Sequence, residues 1–268
     1  MNNPHSDAAD RGRHKTWLGW IAGLALVAGL AVGGVALASA VGIWLGLWDF
    51  RMGFDMLQHV GVVGQAVTAA ALVAAAAVFV LGKRLTGGGG SKLPVLALIG
   101  AIAAGLGYYV PASYVPGEGA NIPPIHDIST DTVNPPEFVA VLPLRADAPN
   151  TAVYGRSDDM TPERLAELQT GAFPDLTTRT LSDPPEVVFE RALAAVGRLG
   201  WELVAQVPEE GRIEATDTTF WYRFKDDVVV RIRAGTDGTV IDARSLSRVG
   251  RGDAGTNARR LRAFFDAL

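Results

Sequence analysis

The chain has 268 residues, 49% of them hydrophobic and 19% charged, with no cysteine and a formal charge of −4; its mean hydropathy of +0.20 is high for a water-soluble protein. This composition excludes collagen-like, wholly disordered and disulfide-stapled classes. The apolar excess is local, because only 11 of the 52 charged side chains precede residue 116. A membrane part is therefore joined to a water-soluble part, and the acidic balance of the latter argues against nucleic acid as a partner.

In chain order, residues 1–16 form a short tail carrying Arg11, Arg13, His14 and Lys15. From Trp17 to Trp48 no residue is charged, a longer run than the roughly 20 residues a helix needs to cross the bilayer core. Two more uncharged runs follow, Val60 to Gly82 and Leu93 to Val115, the last closed by Tyr108, Tyr109 and Tyr114. Within the region 17–115 these predict three spans, at about 18–42, 60–82 and 93–115, with Trp17, Trp20, Trp44 and Trp48 at head-group depth. The first run is too long for the apolar region of a cleaved signal peptide, so it is read as an anchor.

Arg11, Arg13 and Lys15 precede the first span and Lys83, Arg84 and Lys92 lie between the second and third, whereas Asp49 to Gln58 holds only Arg51 against Asp49 and Asp55. Positive loops stay inside. The amino terminus is then cytoplasmic, and three spans of a plasma (inner) membrane deliver everything after residue 116 to the other side. Gly87 to Lys92 lacks the spacing of a phosphate loop and reads as a linker. The pairs Gly19/Gly23, Gly29/Gly33 and Gly42/Gly46 let helix backbones approach closely, within one chain or between copies. No carboxylate or basic side chain lies inside a span, which argues against a pump or transporter.

Residues 116–136 read as a Pro/Gly-rich tether and 137–268 as one domain. Thr161-Pro162 opens a short helix with Leu165 and Leu168. Asp183-Pro-Pro-Glu186 has the pattern of a capping box, ahead of a helix with Phe189, Ala192, Leu193, Val196 and Leu199 on one face and Gly200 at its end. The period then falls to two, predicting strands at 201–207, 211–217, 219–225, 228–234 and 239–247; the second and third are either separate or one strand broken by a bulge, since Ile213 and Ala215 are out of phase with Phe220, Tyr222 and Phe224. A loop at 235–238 sets Ile232 opposite Ile241, Val230 opposite Ala243 and Arg231 opposite Asp242, and a turn at 225–227 sets Phe224 opposite Val228 and Tyr222 opposite Val230. Trp221, Arg223, Arg231, Arg233, Asp242 and Arg244 then share the face away from the helices, with Trp221 against Arg231. Asp253 caps a closing helix whose apolar arc is Ala258, Leu261, Phe264, Phe265 and Leu268. The expected architecture is an α+β soluble domain, an antiparallel sheet with helices on one face, preceded by three transmembrane helices.

Three stretches, Ile213-Glu-Ala-Thr-Asp, Phe224-Lys-Asp-Asp-Val-Val and above all Asp242-Ala-Arg-Ser-Leu-Ser-Arg-Val-Gly-Arg-Gly-Asp-Ala-Gly-Thr-Asn-Ala-Arg-Arg-Leu-Arg, resemble the family called domain of unknown function 1499 (DUF1499). The resemblance runs over roughly 120–268 and takes in Pro123-Pro-Ile-His-Asp-Ile-Ser-Thr-Asp. It implies a membrane-anchored or cell-envelope protein and implies no activity.

Residues 116–268 carry 17 basic and 24 acidic side chains, yet 244–262 sets six arginines against Asp253 alone. Arginine forks suit carboxylate or phosphate, and Gly250, Gly252 and Gly255 lie where a strand gives way to a helix start. This predicts an anion-binding surface at Ser245, Ser247, Arg248, Arg251 and Asn257, for a lipid head group, a glycan or an envelope protein. The competing reading pairs these arginines with domain carboxylates such as Asp242 and Glu214. An enzyme reading needs His126, Asp127 and Asp131, or Ser245 or Ser247 as nucleophile. It is weaker: His126 is the only histidine after residue 59, and no Gly-x-Ser-x-Gly elbow is present. A third reading is a structural or assembly module of a membrane complex, oligomeric through its small-residue helix faces. No catalytic residue, metal or cofactor is assigned, and Asp175 is expected to stabilise a turn.

Overall fold

A computed structural model describes residues 4–86, 92–113, 122–156 and 160–268, in two units, Met1–Val115 and Pro116–Leu268. The first is built from α1 (Pro4–Trp44), α2 (Phe50–Thr86) and α3 (Leu93–Ala112). Segments Gly12–Trp44, Phe50–Leu85 and Leu93–Ala112 are long and apolar enough to cross a membrane. Leu24, Val27, Val62 and Val73 are exposed around the bundle, while Ala22, Ala36, Ala97 and Ala104 lie inside it with Leu18, Val32, Val60 and Val78. That inversion of large and small residues is what a bundle in lipid requires, because association there depends on close packing rather than on escape from water.

The glycine pairs divide in role. A methyl group on Gly29 would overlap the backbone of Gly100 in α3, and one on Gly33 would crowd the Ala103 carbonyl. Gly42 makes room for the Trp48 ring, whose Nε1 donates to the Ser39 carbonyl at 3.3 Å. Gly19 and Gly23 have nothing within 4 Å. The linker residues 87–91, and Tyr114 and Val115 at the end of the third predicted span, lie outside the described residues.

The second unit contains β1 (Asp127–Ser129), α4 (Pro162–Ala172), β2 (Arg179–Leu181), α5 (Pro185–Arg198), β3 (Glu202–Val207), β4 (Arg212–Thr218), β5 (Lys225–Ala234), β6 (Thr239–Ser247) and α6 (Thr256–Asp266). The sheet runs β1-β6-β5-β4-β3, with β2 also on β6, and every pairing is antiparallel. The 235–238 loop holds the expected register, Ile232 opposite Ile241, Val230 opposite Ala243 and Arg231 opposite Asp242. Ile213, Ala215, Val228, Val230, Ile232, Ile241 and Ala243 form one face and pack in a single core with Phe189, Ala192 and Val196 of α5 and Leu261, Phe264 and Phe265 of α6.

Four expectations are corrected. Residues 219–225 are not a strand: β5 starts at Lys225, and β4 pairs directly with it, Ile213 opposite Val230 and Ala215 opposite Val228. The alternation of Phe220, Tyr222 and Phe224 belongs to the β4–β5 turn, so Trp221 is not on a strand beside Arg231. Asp183 does not cap α5. With Pro184 at the cap position, Asp183 stands one residue too early, and its carboxylate takes Arg191 at 2.5 Å instead. The tether expected over 116–136 gives way, within its described part, to β1, which pairs Asp127–Ser129 with Arg244–Leu246; residues 116–121 lie outside the described residues. Finally, the second face of the sheet is not open. Residues 130–156, with a 3-10 turn at Leu142–Arg145, cover it, and Phe138 and Val141 pack there on Val229 and Leu246.

Thr161 caps α4 as expected, its hydroxyl accepting from the Arg164 amide at 3.2 Å. Gly255 and not Asp253 holds the cap position of α6; from two residues earlier the Asp253 carboxylate accepts from the amides of Gly255 at 2.7 Å and Asn257 at 2.8 Å. Burial pushes the Asp253 carboxyl above its ordinary range, against the pull of those two amides.

Candidate functional site

The predicted site lies where β6 ends, β5 begins and α6 starts. Alternation along β6 points Ser245 and Ser247 to the α6 side, where Asn257 in the first turn of α6 meets both. The Ser245 hydroxyl donates to Asn257 Oδ1 at 2.7 Å, and Asn257 Nδ2 donates to Ser247 Oγ at 2.9 Å and to the His126 carbonyl at 2.9 Å. Arg260, one turn further along α6, completes the group. It donates to Ser245 Oγ at 3.2 Å and to Asn257 Oδ1, and its charge is met by Asp226 at 2.6 Å and Asp217 at 2.8 Å. Ser245, Ser247 and Asn257 are all buried.

Arg248 is drawn to a different group. Its guanidinium forks onto Asp227, Nε at 2.9 Å and Nη2 at 2.8 Å, and Arg145 reaches the same carboxylate at 2.6 Å. Thr216 adds a hydroxyl at 2.7 Å. Burial pushes the Asp227 carboxyl up, but hydrogen bonds from Arg248, Thr216 and Arg145 outweigh it and hold the group below the usual carboxylate range. Burial lowers the Arg145 guanidinium, only partly offset by Asp227. Arg251 is exposed in the loop after β6, and its carbonyl faces His126 Nδ1 at 3.3 Å. The structure therefore brings Ser245, Ser247 and Asn257 together, sets Arg248 on a neighbouring carboxylate and leaves Arg251 on the surface.

Arg244 and Arg262 of the basic segment have acids of this domain as partners too. Arg244 is bidentate on Asp127, Nε at 2.9 Å and Nη2 at 2.8 Å, between the rings of Phe138 and Tyr154 at 5.0 and 5.3 Å. Burial, with the Asp127 charge nearby, raises the Tyr154 phenol well above its ordinary value. Arg262 holds Asp175 at 2.6 and 2.7 Å, and its hydrogen bonds lower that carboxyl. The two acids expected to serve as partners are engaged elsewhere. Asp242 takes Arg231 and Arg233, and Glu214 takes Arg212 and the successive amides of Val139, Ala140 and Val141 at 2.9–3.1 Å.

His126, Asp127 and Asp131 do not converge, since Asp127 is committed to Arg244 and Asp131 to Arg231 at 3.0 Å. Among the described residues, no group of three or more His, Asp or Glu side chains is arranged to hold a metal ion. A groove of about 330 Å³ lies on the second sheet face, between Pro135, Pro136 and Val139 on one side and Arg212, Val229 and Arg231 on the other. Both of its arginines are paired with acids. The sequence reading missed Asp226, Asp227, Asp217 and Arg145. The first two fall in the turn expected at 225–227, whereas β5 begins at Lys225 and sets Asp226 opposite Ser247.

No curated protein and no solved structure matches the chain. The sequence model of DUF1499, described as a protein of unknown function, matches residues 127–268. The match starts at Asp127, the residue that opens the sheet and anchors Arg244, and ends with α6, so it takes in the folded domain and more than half of the sequence; the chain belongs to the DUF1499 family.

Proposed function

We propose that this chain is an integral membrane protein whose DUF1499 domain lies outside the cytoplasm and binds an anionic component of the cell envelope without catalysing a reaction. The topology rests on the flanking charges: Arg13 and Lys15 before the first apolar run and Lys83, Arg84 and Lys92 between the second and third hold those segments inside. The observation that carries the binding reading is the sorting of arginines at one end of the sheet. Arg244 and Arg260 are buried on internal acids and the half-buried Arg248 is held by another, whereas Arg223, Lys225, Arg251 and Arg259 are exposed there. Arg259 is held by neutral oxygens, the Ala254 carbonyl and the Thr256 hydroxyl, so its charge is available to an anion. Contact is thus assigned to Arg251 and Arg259, and the buried Ser245, Ser247 and Asn257, with the half-buried Arg248, shape the loop that presents them.

Two measurements test this. A thiol introduced at exposed Thr236 (T236C) in this cysteine-free chain is expected to react with a membrane-impermeant maleimide in intact cells; reaction only after lysis overturns the topology. On phosphocellulose, the R251A/R259A variant of the purified full chain is expected to elute at lower salt than the wild type. Identical elution overturns the binding surface.

A further inference from the structure

The turn between β4 and β5, Thr219-Phe-Trp-Tyr-Arg-Phe224, places four aromatic residues within six positions. None of the four belongs to the hydrophobic core between the sheet and α5 and α6. Phe220 is 65% exposed, and Arg223 and Lys225 are exposed beside it. The turn is a closed structure. The Thr219 amide donates to the Phe224 carbonyl at 2.8 Å and the Arg223 amide to the Thr219 carbonyl at 3.1 Å, while the Thr219 hydroxyl accepts from the Phe224 amide at 2.9 Å. Arg223 adopts φ 54°, a left-handed conformation uncommon for a residue other than glycine. The rings gather in pairs, Phe220 edge-on to Trp221 at 5.3 Å and Tyr222 stacked on Phe224 at 5.7 Å. Trp and Tyr beside Arg and Lys, with an exposed Phe at the tip, is a mixture that settles at a membrane–water interface.

Chain connectivity supplies the second line of argument. Residues entering the domain from the membrane helices arrive at this same end of the sheet. Ser247 donates to the His126 carbonyl at 3.0 Å, Asp253 to the Ile125 carbonyl at 3.1 Å, and Arg248 to the Lys225 carbonyl at 3.0 Å, so Ile122–His126, the end of β6 and the root of the aromatic turn are neighbours. In the sequence, residues 114–121 alone separate Ser113, just past α3, from Ile122. The turn at 235–238 is at the opposite end of β5 and β6.

We propose that the aromatic turn 219–224 is a membrane-interface anchor, seated in the head-group layer of the bilayer that holds the three helices, with Arg223 and Lys225 at phosphate level. The occupant of this surface is lipid, and it does not depend on which side of the membrane the domain occupies.

The test uses the full chain, free of native cysteine, as single-thiol variants F220C, K225C and T236C labelled with an NBD fluorophore and reconstituted into phosphatidylcholine–phosphatidylglycerol vesicles. Labels at 220 and 225 are expected to emit at shorter wavelength than the label at 236 and to be quenched by doxyl-labelled lipid but shielded from iodide; the label at 236 is expected to show the reverse. K225C, at the exposed strand start, keeps the test decisive if F220C disturbs the turn. Quenching by iodide equal to that at 236 overturns the proposal, as does shielding from iodide without quenching by lipid, which assigns the surface to protein. Because vesicles report depth and not sidedness, failure here leaves the extracytoplasmic reading to its own thiol-labelling test.

Discussion

Replacing Arg244 by alanine should be among the most damaging single changes in the domain. The side chain is 2% exposed and satisfies Asp127 with two hydrogen bonds at 2.8 and 2.9 Å, the Pro136 carbonyl at 3.2 Å and the Ala152 carbonyl at 2.8 Å. Its loss strands a buried carboxylate together with two carbonyls. Removing one partner of a buried ion pair costs about 3–5 kcal/mol, a large part of the 5–15 kcal/mol typical of a whole domain. The assay is pulse proteolysis of the full chain in detergent across a urea series, following the fraction of domain that survives. With a urea dependence of about 2 kcal/mol per molar, the midpoint should fall by roughly 2 M. Asp127→Asn should cost nearly as much, and the double variant D127N/R244M should be milder than the sum of the single losses, because the second change relieves the group orphaned by the first. A loss for R244A under about 1 kcal/mol, or strict additivity of the pair, would refute the view that this ion pair ties β1 and the 136–152 segment to β6.

Three further outcomes are expected. Asp227 has a folded-state pKa below its unfolded value, so its contribution to stability is fully present above about pH 4 and is lost as pH falls through the depressed value; the urea midpoint should drop in that acid range, and D227N should be less stable at neutral pH with a flatter acid dependence. Two glycines should respond to alanine with opposite signs. Gly211 has φ 63° and the Ile232 carbonyl against the place a methyl would take, so G211A should lose about 1–3 kcal/mol, whereas Gly197 in α5 has open space and G197A should gain up to about 1 kcal/mol, both read from the same urea series. In the helical unit, G29L should separate α1 from α3 and G19L should not, which a disulfide between cysteines placed on facing positions of α1 and α3 would report by its loss in the first variant alone.

What the sequence disclosed follows the range over which its physics acts. The β5–β6 hairpin was legible because Gly235-Thr-Asp-Gly238 marks a short turn and alternating apolar residues on either side select one register. The β4–β5 turn misled by the same rule: Phe220, Tyr222 and Phe224 alternate as a strand does, and only the tertiary pairing of Ile213 with Val230 shows that their period has no partner. β1 is three residues long, too short for any periodicity, and its register depends on Arg244, which is distant in sequence. The charge excess of 244–262 was visible as a sum, but its neutralisation was not, because the acids that meet it, Asp127, Asp175, Asp217, Asp226 and Asp227, come from four separate stretches of chain. The three apolar helices were legible because each coincides with an uncharged run of the length a membrane span needs.

The abundance of buried arginine and aspartate has a cause in how the second sheet face is covered. Helices satisfy their own backbone and present only side chains, so α5 and α6 bury most of the first face with apolar groups, the cluster of Ser245, Asn257, Arg260 and Asp226 at its end excepted. Residues 130–156 are mostly irregular, and an irregular segment laid on a sheet brings unpaired amides and carbonyls into the interior, each of which needs a partner. Glu214 takes three successive amides from this segment. Arg244 takes the carbonyls of Pro136 and Ala152, Arg145 that of Asn150, and Arg248 that of Leu144. Once those charged side chains are buried to serve the backbone, opposite charges must be buried with them, and Asp127, Asp227 and Arg212 do this. The ionic clusters of the second face are thus a requirement of covering a sheet with loop, and the exposed cations Arg223, Lys225, Arg251 and Arg259 lie outside them.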